Sequence, residues 1–197
     1  MTDKQTLDLY SDRAADYARE VTTPEPSARL RAFMAALPAG GRVLDLGCGP
    51  GNSAAAMLAA GFDVDALDAA EGMVRVARES YGVPARVGTF ADIDTDRTLD
   101  GIWANFSLLH APRAEMPGHL ARLAAALGPN GLLHIGLKTG TGAARDSLGR
   151  LYTYYEDPEI TGLMNAEGFE IEMRETGCEP GFDGVEAPWI VLWGRRA

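Results

Sequence analysis

Val43-Leu44-Asp45-Leu46-Gly47-Cys48-Gly49-Pro50-Gly51 is the stretch that decides the fold. A short apolar run delivers the backbone to an acid and then to three glycines on alternate positions. The helix-compatible Asn52-Ser53-Ala54-Ala55-Ala56-Met57-Leu58 follows at once. Strand, tight glycine turn and helix N-terminus together let bare backbone approach a nucleotide-like ligand. A dinucleotide-binding fingerprint needs its third glycine at the sixth position of the turn. Here that position is Asn52, and the glycines follow Gly-x-Gly-x-Gly, with Asp45 two places upstream.

Outward from this turn, strand-like and helix-like segments alternate. Residues 61–68 read as a short strand ending in Asp68, and 70–80 as a helix with Met73, Val74 and Ala77 on one face. A third strand is expected at 84–87 and a fourth at 99–105. Leu120, Leu123, Ala124 and Leu127 recur at helical spacing, and Gly128-Pro129-Asn130-Gly131 is a turn signal that ends that helix. A fifth strand at 132–137, a Gly/Thr-rich loop at 139–142, a helix at 157–167 and strands at 169–173 and 189–193 complete the pattern. Such alternation predicts an α/β fold, a doubly wound sheet with helices on both faces, mostly parallel with an antiparallel C-terminal strand.

Composition narrows the function classes. With 197 residues and 46% hydrophobic content, the chain is expected to fold as a single domain over 1–197, without repeats or linkers. The 18 Lys+Arg against 28 Asp+Glu give a formal charge of -10, a surface that repels phosphate backbones and argues against a nucleic-acid partner. No N-terminal segment reads as a signal peptide and no apolar run is long enough to span a bilayer, so no membrane partner is expected. Two cysteines, Cys48 and Cys178, make no disulfide framework and point to a reducing, cytoplasmic compartment.

The Gly-x-Gly-x-Gly turn behind Asp45 resembles motif I of the class I S-adenosylmethionine-dependent methyltransferases, and the resemblance covers nearly the whole chain. It implies a Rossmann-like fold with S-adenosyl-L-methionine as cofactor. It divides the chain into an N-terminal helical lid at 1–38, a cofactor-binding core at 42–137, and an acceptor loop with a C-terminal hairpin at 138–197. By the same resemblance Asp45, Gly47, Cys48, Gly49 and Gly51 approach the cofactor, and Asp68, with Ala69 beside it, accepts from both ribose hydroxyls. Two converging hydroxyl donors need a carboxylate there. Asp65 competes but falls inside the strand, and Asp68 has the alternative role of capping the next helix. Met73 is placed against the adenine or in the core, and Thr89 and Phe90 at the adenine. Thr89 departs from the acid of many relatives, with Asp92 a second candidate or a simple loop acid. Asn105 and Ser107 fall beside the methionine moiety, offering acceptors to its ammonium. Tyr17 belongs to a segment, 9–18, similar to a lid helix. Asn105-Phe106-Ser107-Leu108 lacks the Asn-Pro-Pro-aromatic pattern of enzymes that methylate DNA bases or protein glutamine. Residues 101–110 and Tyr152-Thr153-Tyr154-Tyr155 resemble the tellurite-resistance-like branch of small-molecule methyltransferases.

The implied chemistry asks little of the protein. The sulfonium methyl is already activated, so orientation and exclusion of water matter more than acid/base groups. A small-molecule substrate is therefore expected. Acceptor candidates are His110, which is also a weak catalytic candidate as a general base, and Arg150 and Tyr152, in a stretch rich in cations and phenols with Lys138, Arg145, Tyr154 and Tyr155. Cations gathered at the ligand edge of an acidic protein suggest a polar or anionic acceptor. His119 and His134 have no spaced partners and read as structural, and no metal is expected. Two alternatives remain: a cofactor-binding protein without turnover, and a nicotinamide-dependent oxidoreductase. The acceptor atom and the oligomeric state stay open.

Overall fold

The computed structural model describes residues 3–21 and 25–197. Three helices, α1 (Lys4–Asp12), α2 (Ala14–Val21) and α3 (Ala28–Ala35), precede an alternating series: β1 (Arg42–Leu46), α4 (Asn52–Ala59), β2 (Asp63–Asp68), α5 (Glu71–Tyr81), β3 (Arg86–Val87), β4 (Leu99–Asn105), α6 (Met116–Ala126) and β5 (Leu127–Lys138). A small hairpin, β6 (Ala143–Arg145) and β7 (Leu151–Thr153), then α7 (Asp157–Ala166) lead to two long strands, β8 (Phe169–Pro180) and β9 (Glu186–Arg196).

Seven strands form one sheet in the order β3-β2-β1-β4-β5-β9-β8. Neighbours from β3 to β5 are parallel, and β9 runs antiparallel to both β5 and β8. Alternation along each strand sorts side chains into two cores. Leu44, Leu46, Ile102, Leu133 and Ile190 meet Leu120 and Leu123 of α6 and Ile160 and Met164 of α7. Val43, Val64, Trp103 and Leu132 meet Phe33 of α3, Met57 of α4 and Val74 of α5. The expected Rossmann-like α/β sheet, with helices on both faces, is what the chain builds.

Local chemistry sets several ends. Ser27 caps α3 by accepting from the Leu30 amide, and Gly82 closes α5 at φ 64°. Four departures from the sequence reading have physical causes. The strand expected at 84–87 pairs only at Arg86 and Val87, since Pro84 has no N–H and the Ala85 amide bonds Val83. Residues 128–131 belong to β5 instead of forming a free turn, and Asn130 at φ 61° absorbs the irregularity. The lid segment 9–18 is broken at Arg13 into two helices. The last two strands run beyond 169–173 and 189–193 because β8 and β9 pair with each other past the core, where no apolar face marks them.

The lid is seated by one close approach. A Cβ at Gly72, in the first turn of α5, would lie 2.1 Å from the Ser11 carbonyl oxygen of α1. Only a glycine permits the two helices to meet there.

Candidate cofactor and acceptor site

The order of strands reverses between β1 and β4, and ligands of open α/β sheets sit beyond the carboxyl ends of strands at such a point. A cleft lies there. Its floor is the glycine turn, pinned by Gly47 and Cys48 amides donating to the Leu67 carbonyl at 2.7 and 3.0 Å. Gly47 has φ 72°, and a Cβ on it would lie 2.3 Å from the Ser107 Cβ. That contact brings the end of β4 against the turn and leaves backbone, not side chain, facing the cleft. Gly49 and Ala69 also line the cleft, whereas Gly51 is the residue from which α4 starts.

Asp68 stands at the end of β2 within the cleft. Its Oδ2 accepts from the Gly49 amide and its Oδ1 from the Ala70 amide, both at 2.8 Å. The Ala69 amide bonds the carboxylate as well, and its remaining lone-pair capacity is what a hydroxyl donor in the cleft would use. Burial raises the pKa of Asp68, opposed by these amides. Asp65 is outside the cleft, held by Arg86 at 3.1 Å. Asp45 is buried on the other side of the turn, with Cys48 and Asn105 in a second hollow. Burial and the neighbouring Asp68 push its pKa to about 8, and its Oδ2 has no hydrogen-bond partner. The Cys48 thiol is pushed up by burial and by Asp45, which makes it a spacer and no nucleophile.

Met73, Thr89 and Phe90 line the far end of the cleft. Met73 also packs against Ala14 and Ala70, joining α5 to the lid. Asp92 is occupied elsewhere: its Oδ2 accepts from the Thr89 amide and hydroxyl, closing a capping box over the turn at Phe90. At the near end sit Asn105 and Ser107, the latter with a buried hydroxyl that has no partner. Among the described residues no cluster of His, Cys, Asp or Glu has metal-binding geometry.

Tyr10 of α1 and Tyr17 of α2 also line the cleft. Tyr17 packs edge-on against Tyr10 at 5.6 Å and against Phe182, in the turn between β8 and β9, at 5.0 Å. Behind them lies a further cavity lined by Tyr10, Tyr17, Lys138, Arg150, Tyr152 and Trp189. His110 lines the first cleft and packs at 4.8 Å against Tyr152, which lines the further cavity. Its Nδ1 faces the Leu151 carbonyl at 2.7 Å and its Nε2 the Tyr10 hydroxyl at 3.1 Å. A carbonyl only accepts, so Nδ1 carries the hydrogen and Tyr10 donates to Nε2. Burial drives the His110 pKa down to about 4, so the ring is neutral.

Arg150 is not a free cation on a covering loop. It is 2% exposed, with Nη2 2.6 Å from Asp146 Oδ2, Nε donating to the same oxygen and Nη1 to Tyr10 at 3.1 Å. Arg145 is likewise taken, by Asp3 of the lid at 2.7 Å. Lys138 is different: its ammonium sits 4.0 Å above the ring of the buried Tyr152, and burial lowers its pKa, opposed by Asp183. The sequence reading missed Asp146, Phe182 and Trp189, which reach the site only through the folding back of β6, β7 and the β8–β9 turn. No motif marks them.

Known proteins agree with this architecture. A family model described as a methyltransferase domain matches residues 43–131. Trans-aconitate 2-methyltransferase of Variovorax paradoxus is 42% identical over 106 residues, covering 50% of this chain and 39% of the relative. Its namesake in Methylobacterium nodulans is 35% identical over 122 residues, covering 60% and 45%. The matched region thus spans less than half the length of these curated relatives. Among solved structures, the 1,6-didemethyltoxoflavin-N1-methyltransferase of Burkholderia thailandensis, with bound S-adenosylhomocysteine, superposes with a TM-score of 0.68 at 26% identity, covering 96% of this chain and 87% of that one. A TehB-like methyltransferase of Corynebacterium glutamicum has a TM-score of 0.71 at 20% identity, covering 99% and 100%.

Proposed function

The chain carries a class I S-adenosylmethionine-dependent methyltransferase domain, and from that premise we propose that it transfers the cofactor's methyl group to a small-molecule acceptor by in-line displacement. The observation that carries this is Asp68, held by backbone amides with lone-pair capacity to spare, at the switch point of the sheet. The residues fit the cofactor. The cradle at Gly47 would be filled by any Cβ, the Ser107 hydroxyl is buried without a partner, and the apolar Met73 and Phe90 flank the far end. When bound, the sulfonium supplies the activated methyl. The protein's part is to fix its pose and to exclude water, with Tyr10 and Tyr17 as the cover.

The acceptor enters from the cavity behind Tyr10 and Tyr17. Lys138, held over Tyr152 and without a carboxylate at ion-pair distance among the described residues, is the cation that faces it. That favours a polar or anionic small acceptor, a class to which trans-aconitate, named in two of the relatives, belongs. Arg150 and Tyr152 line the same cavity, Arg150 by bracing Tyr10. The net charge of -10 disfavours nucleic acid. Among the described residues no helix is long and apolar enough to cross a membrane. Cys48 and Cys178 are both unpaired, in keeping with a cytoplasmic site of action.

Calorimetry with S-adenosylmethionine, S-adenosylhomocysteine and NAD tests the cofactor. The adenosyl ligands should bind and NAD should not; NAD binding alone would overturn the reading. Methyl-labelled cofactor offered with a metabolite extract and with trans-aconitate then tests turnover. Binding without any labelled product would favour the non-catalytic alternative.

A further inference from the structure

A buried hydrogen-bond chain ends at the cleft. Trp193 of β9, His134 of β5 and Trp103 of β4 are paired across adjacent strands, and the His134 ring stacks on Trp103 at 3.6 Å with an 18° tilt. Trp193 Nε1 donates to His134 Nδ1 at 3.0 Å, and His134 Nε2 lies 3.0 Å from Asn105 Oδ1. An indole N–H can only donate, so Nδ1 must be the ring's lone pair and Nε2 must carry its hydrogen. A donor at Nε2 requires an oxygen opposite it. The side-chain amide of Asn105 is therefore oriented by the network, with Oδ1 turned inward and both N–H bonds left toward the hollow that Asn105 shares with Asp45 and Gly47. Burial, with Arg29 nearby, keeps His134 neutral.

We propose that His134 is a positioning residue that sets the polarity of Asn105, so that the end of β4 presents donors and holds the carboxylate of the cofactor's methionine moiety. This rests on the methyltransferase reading and reverses the expected role of Asn105 as an acceptor for the ammonium. The sheet order supports the placement. Asp68, Thr89 and Phe90 follow β2 and β3 on one side of β1, whereas Asn105 ends β4 on the other. The adenosine and amino-acid ends of one ligand thus fall to opposite sides. An acceptor for the ammonium is at hand in the same hollow, the unpartnered Oδ2 of Asp45.

Titration calorimetry with two ligands tests this: S-adenosylhomocysteine, and 5′-methylthioadenosine, which shares the adenosine and thioether but lacks the amino-acid group. In His134→Phe, which keeps a ring on Trp103 but donates nothing, affinity for S-adenosylhomocysteine should fall about tenfold or more while methylthioadenosine binds within about twofold of the parent. His134→Gln, able to accept from Trp193 and donate to Asn105, should restore most of the loss. Asn105→Asp should bind S-adenosylhomocysteine more weakly than Asn105→Ala, because it sets a carboxylate against a carboxylate. Equal losses for both ligands in His134→Phe would mark a merely structural role, and parental binding of both would remove any role. Asn105→Asp binding S-adenosylhomocysteine as tightly as Asn105→Ala would overturn the proposal, and tighter binding would assign the ammonium to this position. A parent protein that binds neither ligand would instead overturn the cofactor reading, and the proposal with it.

Discussion

The Gly49 amide donates to Asp68 Oδ2 at 2.8 Å, so the glycine turn after β1 and the carboxylate at the end of β2 are one structural unit. The bond fixes the rotamer of Asp68 before any ligand arrives, which lowers the ordering cost of binding.

Asp68→Ala should therefore weaken S-adenosylhomocysteine binding by about 1.5–3 kcal/mol, the loss expected for hydrogen bonds to a charged group. Asp65→Ala serves as the contrast. It removes a partly exposed ion pair with Arg86, worth at most about 1 kcal/mol of stability, and should leave ligand affinity alone. Calorimetry on both variants decides between the two acids. Equal affinity in Asp68→Ala and the parent would exclude Asp68 from the ribose site.

The seating of the lid gives a second expectation. A Cβ at Gly72 would meet backbone, the Ser11 carbonyl, and backbone cannot rotate away. Gly72→Val should lift α1 from α5 at a cost of about 1–3 kcal/mol, the usual range for overpacking. Limited proteolysis should then cut within the first two helices far faster than in the parent, and an unchanged digestion pattern would refute the close approach.

Much of this was legible in the sequence where local pattern and tertiary role coincide. Asp45, the three glycines and Asp68 lie in β1, in the turn after it and at the end of β2, the places that the local pattern and the family resemblance together gave them. The fourth strand was readable end to end because its apolar run stops at Asn105. Gly72 was not, because its reason lies on a helix sixty residues earlier in the chain. Arg150 illustrates the other limit: a cation beside phenols suggested a ligand contact, but the hairpin of β6 and β7 turns it inward onto Asp146. Charge in a sequence carries no sign of burial.

Arg150 and Lys138 should accordingly respond in opposite ways to loss of charge. Arg150→Met leaves Asp146 buried and unpaired and should cost about 3–5 kcal/mol of stability. Lys138→Met keeps the aliphatic stem over Tyr152 and frees no buried acid, so stability and S-adenosylhomocysteine affinity should be nearly unchanged. Its turnover of an anionic acceptor should fall at least tenfold, mostly through KM, since a uniform binding contact is lost. Denaturant titration of both variants, with kinetics on Lys138→Met, checks the pair. A stable Arg150→Met would show that the guanidinium is dispensable to the fold.

The pH dependence of stability follows from histidines and acids whose shifts, set mainly by burial, oppose one another. His110 stays neutral down to about pH 4 in the folded protein, and His134 is also lowered well below its ordinary value by burial, whereas both protonate near 6.5 in an unfolded chain. Between pH 6.5 and 4 the unfolded state therefore binds protons that the folded state refuses, and stability is lost as pH falls through this range. For His110 the loss is on the order of 3 kcal/mol at most. Asp45 works the other way. Its folded pKa of about 8 lies above the ordinary aspartate value of 3.8, so the folded state keeps a proton that the unfolded chain has released, and stability is lost as pH rises toward 8. Below 6.5 the three histidines lowered by burial, His110, His119 and His134, outweigh the two raised acids, Asp45 and Asp68; above 6.5 only the acids remain. Unfolding free energy should thus peak near pH 6.5 and decline to either side. Urea titrations at pH 5, 6.5 and 8 measure the peak directly. Asp45→Asn, which retains an oxygen for the Ala54 amide that bonds Asp45, should flatten most of the decline above pH 6.5 and steepen the loss on the acid side, where Asp45 opposes the histidines. A decline of the same steepness in that variant would mean that Asp45 is ionised in the ligand-free protein and that the alkaline loss arises elsewhere.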